Sequence, residues 1–244
     1  MRLAILLLAL AALVAGCGAP SDSSKPDAAL DTARAEPAPV ALASPRLDVR
    51  IGRSTRPEVE ERCAPGTERP LRSDGEAYAA IAVAPTGSYA HPGGRRTHTF
   101  RLENANGYIT VFGVLAEVVD ESCRASWYRV QLPVKPNGST GYVPADTVEL
   151  ELVRTRIEVD LSERRLELFE DGKPIMRLAA AVGAPETPTP MGRFYVNQRF
   201  RITDSWGPFG PAALGINAFS DVLQEWSQGG PIAIHGTNAP DSVG

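Results

Sequence analysis

From Tyr78 onward, short apolar runs are cut every few residues by turn formers, and this punctuation constrains the chain more than any other feature. Ile81–Val83 meets Pro85-Thr86-Gly87, and Tyr108–Phe112 stops at Gly113. Val114–Val119 runs to Asp120, Trp127–Leu132 leads into Pro136-Asn137-Gly138, and Gly141–Val143 precedes Pro144. Short strands at this spacing predict a small barrel or sandwich. The character changes at Thr155. There Ile157, Val159 and Leu161 alternate with Arg156, Glu158 and Asp160, the pattern of a half-buried strand. Arg164–Glu170 gives a second strand, and Asp171-Gly172 is a strong two-residue hairpin signal before a third, Lys173–Val182. Further strands are expected from Gly192 through Val196, over Ala213–Phe219 and over Ile232–Ile234, with one or two helical turns at Asp221–Trp226. The fold class is mainly β.

The first residues carry a different signal. Met1-Arg2 supplies a positive start, and Leu3–Val14 is apolar throughout but too short to span a bilayer. The run closes on Leu13-Val14-Ala15-Gly16-Cys17, which resembles the lipobox of bacterial lipoproteins. That resemblance implies a signal peptide over residues 1–16, lipid on Cys17, and a mature protein tethered to the cell envelope outside the cytoplasm. Residues 17–48 are rich in Ala, Pro, Ser and Asp, lack aromatics, and cannot offset the entropy of ordering. They read as a disordered spacer. The formal net charge of −4 and the absence of a clustered Lys/Arg stripe argue against a nucleic-acid partner.

Placement outside the cytoplasm decides how the remaining cysteines, Cys63 and Cys123, are read. In an oxidising compartment a disulfide between them is the default, and two separate buried thiols are the alternative. Neither has metal-ligand spacing with another Cys or with His. His91 and His98 lie near turn residues without a partner at ligand spacing and read as solvated loop residues. No metal and no cofactor are expected.

The stretch "WYRVQLPVKPNGSTGYVPADTVEL" is similar to the closing strands of bacterial SH3-like domains, which places such a module at residues 73–151. Its aromatics Trp127, Tyr128 and Tyr142 are either the walls of a wall-peptide groove or the core of a small barrel. From Thr155 the chain resembles the catalytic domain of the L,D-transpeptidases, the YkuD-like family that cross-links peptidoglycan. The features carrying this are "VDLSERRLELFEDGK", "TPTPMGRF", "FGPAALGI" and "IAIHGTN", in that order. The expected architecture is an SH3-like β-barrel followed, over residues 154–244, by an incomplete β-sandwich-like catalytic domain.

The resemblance implies a chemistry. A cysteine in an S-H-G-C-x-R motif attacks a stem-peptide amide, and the histidine of I-H-G-T serves as base and then acid. A thioester forms, and an acceptor amine resolves it. His235 matches the histidine, and Gly236 matches the next residue, whose carbonyl orients the imidazole. Thr187, Tyr195, Asn217 and Ser220 are polar residues expected to face or flank the cleft and bind the donor peptide. Trp206 and Phe209 are expected either to wall that groove or to form a mobile flap. None of Cys17, Cys63 and Cys123 sits in an H-G-C context, and the residues stop at Gly244 before the family's cysteine motif. The expectation is a fragment of an active enzyme, inactive as it stands. The alternatives are a truncated protein that only binds wall peptides and a binding module without chemistry. Stem peptides and, through the lipid, a membrane are the expected partners.

Overall fold

The computed structural model describes residues 2–7, 64–73, 75–204, 206–225 and 227–243. The lipobox, the spacer and Cys63 lie outside these residues. Among the described residues the regular structure is almost entirely β, in two sheets, with only three short 3-10 turns beside them.

The first sheet is antiparallel and eight-stranded. It contains β2 (Glu68–Pro70), β3 (Ala77–Ala82), β4 (Thr86–Tyr89), β5 (Arg96–Phe100), β6 (Val111–Val119), β7 (Ala125–Gln131), β8 (Thr140–Pro144) and β9 (Val148–Val153). Their order is β5-β4-β8-β7-β6-β3-β9, with β2 paired on β6. Its core is Ala80, Phe112, Val114, Val130, Leu132, Val143 and Val148, with Phe100 packed edge-on against Phe112 at 5.0 Å. Of the three aromatics with two readings, none is fully buried. Trp127 stacks edge-on against Tyr89 at 5.1 Å, Tyr128 packs on the core, and the Tyr142 hydroxyl donates to Glu68.

Two departures from the sequence reading concern this sheet. Tyr108–Phe112 and Val114–Val119 were expected as separate strands broken at Gly113, whereas β6 runs unbroken through it. Gly113 is there because a Cβ would lie 2.8 Å from the ring of Tyr195, which packs on it from the other sheet. His98, expected in a loop, sits on β5, with Nδ1 3.3 Å from the Ser88 hydroxyl. His91 occupies the turn between β4 and β5, as a loop reading implies.

Cys123 is disulfide-bonded, and its partner lies outside the described residues. The Gly66 amide donates to the Val119 carbonyl at 2.9 Å, which brings the chain just after Cys63 to the end of β6 that leads to Cys123. Non-reducing peptide mapping should therefore find Cys63 linked to Cys123, and reduction should cost roughly 2–5 kcal/mol of stability. A Cys17–Cys123 peptide, or unchanged stability on reduction, would refute this.

The second sheet contains β10 (Thr155–Asp160), β11 (Arg165–Glu170), β12 (Lys173–Ala179), β13 (Arg193–Arg201), β14 (Ala212–Phe219) and β15 (Pro231–His235). Its order is β12-β11-β10-β1-β13-β14-β15, where β1 is Arg2–Leu7, antiparallel to β10 and parallel to β13. Local chemistry explains the meander. Asp160 accepts from the amides of Ser162 and Glu163 in the β10–β11 turn, and the Ser162 hydrogen bonds help hold its carboxyl below the usual range. Asp171 and Gly172 both take positive φ, +48° and +75°, as a two-residue hairpin turn requires. Ile157, Val159, Phe194, Val196, Ile216 and Ala218 form the core, with Leu166, Leu168, Ile232 and Ile234 against it. Opposite Leu168 and Leu166 on β12 stand Met176 and Leu178, so the same face continues outward, but there both are exposed. Asp221–Trp226 is not helical in its described part. Ser220 caps the amides of Val222 and Leu223, and the chain then turns through Gly229 and Gly230 at positive φ.

Side-chain amides join the two sheets. Asn137 pairs with the backbone of Phe219 in both directions, at 2.8 and 2.9 Å, and Gln131 Nε2 donates to the Arg193 carbonyl at 2.7 Å. Tyr108 meets Phe200 edge-on at 5.4 Å.

Candidate active site

β15 explains how His235 is delivered. Ile232 and Ile234 pack on the core, so strand alternation turns Ala233 and His235 to the opposite face. His235 pairs with Ala213 in the β14 register and is exposed. Its Nδ1 lies 2.6 Å from the carbonyl oxygen of Gly236. A carbonyl only accepts, so Nδ1 carries a proton, and in the neutral imidazole Nε2 then holds the free lone pair. This is the tautomer a general base needs if it works through Nε2.

The loop between β13 and β14 covers one side of the imidazole. Asp204 accepts from the Trp206 amide at 3.2 Å, and the Gly207 and Gly210 amides continue the turn. Phe209 is carried edge-on to His235, with ring centroids 5.0 Å apart, while Trp206 is 87% exposed. Gly210 has φ +62°, and a Cβ on it would lie 2.8 Å from the Gly236 Cα. Sequence reasoning flagged Phe209 and Trp206 but not Gly210; its only signal was the Pro-Phe-Gly-Pro context. Gly210→Val should push the loop off Gly236 and misplace the carbonyl that orients His235. We expect the His235 ring resonances to shift in NMR while the far-ultraviolet spectrum stays unchanged; unmoved His235 signals would show that this contact does not position the ring.

The four residues expected to bind substrate fall in different places. Asn217 and Tyr195 come together, but inside the sheet: they are 1% and 2% exposed, and Asn217 Oδ1 accepts the Tyr195 amide at 2.7 Å. The β13–β14 register shifts just beyond, between Val196 and Gln198, so the side chain supplies a ladder bond there. Burial pushes the Tyr195 phenol up, which keeps it neutral. Its hydroxyl and Asn217 Nδ2 have no partner among the described residues. Ser220 is 3% exposed and serves as the turn cap described above. It lies seven positions along β14 from the partner of His235, roughly 20 Å away at strand rise. Thr187 is half-buried in a proline-stiffened turn, where its amide donates to the Ala184 carbonyl and Thr189 accepts from the Gly183 amide. That turn is close-packed: a Cβ on Gly183 would lie 2.2 Å from the Thr187 carbonyl oxygen. Among the described residues no group of three or more His, Cys, Asp or Glu is placed to hold a metal ion.

No curated protein and no solved structure matches the chain. Residues 154–243 do match the family model of the L,D-transpeptidase catalytic domain, YkuD, so the resemblance carried by the motifs from Thr155 onward holds for that part of the chain.

Proposed function

We propose that the second sheet is the acyl-transfer scaffold of a peptidoglycan L,D-transpeptidase, acting on stem peptides, with His235 as general base and then general acid. The observation that carries this is the His235 Nδ1–Gly236 carbonyl bond, which leaves Nε2 as the basic atom at the exposed end of β15. In the family's chemistry a cysteine thiol gives its proton to that nitrogen and its sulfur attacks the donor amide carbonyl. The C–N bond breaks, the imidazolium protonates the leaving amine, and a thioester remains. An acceptor amine then attacks the thioester and the thiol is regained.

The cysteine of this step belongs to an S-H-G-C-x-R element, and none of Cys17, Cys63 and Cys123 is in that context. The proposed acyl transfer needs that element alongside His235. The test compares residues 1–244 with the same chain joined after Gly244 to a family C-terminus carrying the cysteine motif. Thioester formation with a stem tetrapeptide, read by intact mass, is expected only in the joined form. A thioester on residues 1–244 would overturn the assignment of the missing nucleophile, and none on a folded joined form would overturn acyl transfer.

A second reading, a non-catalytic wall-peptide-binding lipoprotein, is favoured by one observation. The sole cysteine among the described residues, Cys123, is disulfide-bonded and therefore offers no thiolate. In either reading the protein is proposed to sit in the cell envelope, anchored by lipid on Cys17, with an SH3-like module at residues 73–151 ahead of the second sheet. Cys17→Ser should abolish metabolic labelling with palmitate, and retained label would remove the anchor from the proposal.

A further inference from the structure

The junction of the two sheets holds a cleft of about 750 Å³ whose lining does not include His235. One wall is the segment from Thr99 to Asn106, at the end of β5 and beyond it. The other includes Asn197 and Gln198 of β13, Ile216 and Phe219 of β14, Gln228 and Pro231. Pro231 begins β15 and His235 ends it, and Gln198 of the lining pairs with Gly215, which pairs with Ala233, two residues before the imidazole.

Its polar lining is dominated by primary amides. Asn104 and Asn106 each donate through Nδ2 to Gln198 Oε1, at 3.2 and 3.0 Å. Asn106 and Gln228 bond each other reciprocally, Nε2 of Gln228 donating to Asn106 Oδ1 at 2.7 Å. These bonds hold the group in place without exhausting it. Each carboxamide nitrogen carries two protons, and Gln198 Nε2 makes no hydrogen bond among the described residues. Asn197 lines the same cleft, and its Oδ1 is buried without a partner among the described residues. Charge is sparse and balanced, one arginine, Arg101, against one glutamate, Glu103. Phe100 and Phe219 add aromatic surface.

These features select a ligand class. A carboxylate- or ammonium-bearing ligand gains little from walls with balanced charge. A neutral chain of hydroxyls and acetamides matches carboxamides that both donate and accept, and sugar faces stack on aromatic rings. We propose that this cleft binds a neutral N-acetylated oligosaccharide, the glycan strand of the wall. The proposal rests on the wall-peptide reading above, since the glycan is the polymer to which stem peptides are attached. Glycan held here would place its attached peptides on the sheet that carries His235.

The test uses residues 1–244 as they exist and needs no acyl transfer, so its outcome is separable from that of the catalytic proposal. The probe is the β-1,4-linked tetramer of N-acetylglucosamine, titrated while the side-chain NH₂ resonances of Asn104, Asn106, Gln198 and Gln228 are followed by NMR. Saturable shifts of these signals are expected, and the doubly substituted N106A/Q228A chain should bind at least about tenfold more weakly, the equivalent of one or two lost hydrogen bonds. Because these two residues also bridge the sheets, Phe219→Ala is measured as well and should weaken binding while leaving the amide signals dispersed. Two outcomes would overturn the proposal: no shift of these resonances at millimolar tetramer, or shifts produced by a stem tetrapeptide and not by the sugar.

Discussion

In a chain joined to the cysteine element, His235→Ala should lower the rate of thioester formation by roughly 10²–10⁴-fold, the usual loss on removing a positioned general base. The fold should not respond, because His235 is exposed at the end of β15 and its ring touches Phe209 rather than the core. The measurement is single-turnover acylation across pH, which separates chemistry from product release. The alanine variant should be slow at every pH measured. His98→Ala is the control, since His98 sits on β5 in the other sheet, beside Ser88. Equal rates for the His235→Ala and parent chains would make the histidine structural, whatever the family match.

The largest effect on stability is expected from Phe112→Ala. Phe112 is fully buried at the centre of the first core and packs edge-on against Phe100. Removing it takes away both the transfer energy of the ring and its contacts, about 3–5 kcal/mol with the cavity included. For a chain of this size each kcal/mol moves the thermal midpoint by roughly 2–4 °C. Ile175→Ala is the counterpart: that side chain is 55% exposed on β12, and its loss should stay within about 0.5 kcal/mol. Denaturant titration of both variants checks the contrast. Similar losses would mean that Phe112 is not the anchor of its sheet.

The strands that could be read from sequence are those with a local cause. Asp171-Gly172 sets the β11–β12 hairpin, and Ile157 with Val159 alternates against charged neighbours, so those elements follow from residues close in sequence. β4 and β5 have no such cause. Thr86–Tyr89 and Arg96–Phe100 carry hardly any aliphatic side chains, and their extended form depends on pairing with each other and with β8. Gly113 was ambiguous for the same reason. A glycine after an apolar run signals a strand end, and only the ring of Tyr195, far along the chain, makes it a place inside a strand. The candidate site divides in the same way. His235 follows from the Ile232-Ala233-Ile234 run that precedes it, and the Gly236 carbonyl from adjacency. Asn217 and Ser220 are polar for reasons internal to the fold, a missing ladder bond and a turn cap, which no pattern along β14 distinguishes from a surface role. The amides of the junction come from three separate segments, and nothing local announces that they meet.

The place of β1 has a consequence for the order of events in the protein's life. Arg2–Leu7 is zipped between β10 and β13, with Arg2 opposite Asp160, Leu7 opposite Thr155 and Ile5 beside Phe194. The same six residues head the segment proposed to guide export and to be cut off before Cys17. They cannot do both at once: a leader held inside a sheet is hidden from the secretion machinery, and a leader that has been removed pairs with nothing. Under the lipoprotein proposal, export must therefore outrun closure of this sheet. Once cleavage has occurred, β10 and β13 each present a row of backbone donors and acceptors to the gap between them. Amide hydrogen exchange over 155–160 and 193–195, faster in a chain starting at Cys17 than in the full chain, would show that maturation trades one of this sheet's inner strands for an open seam.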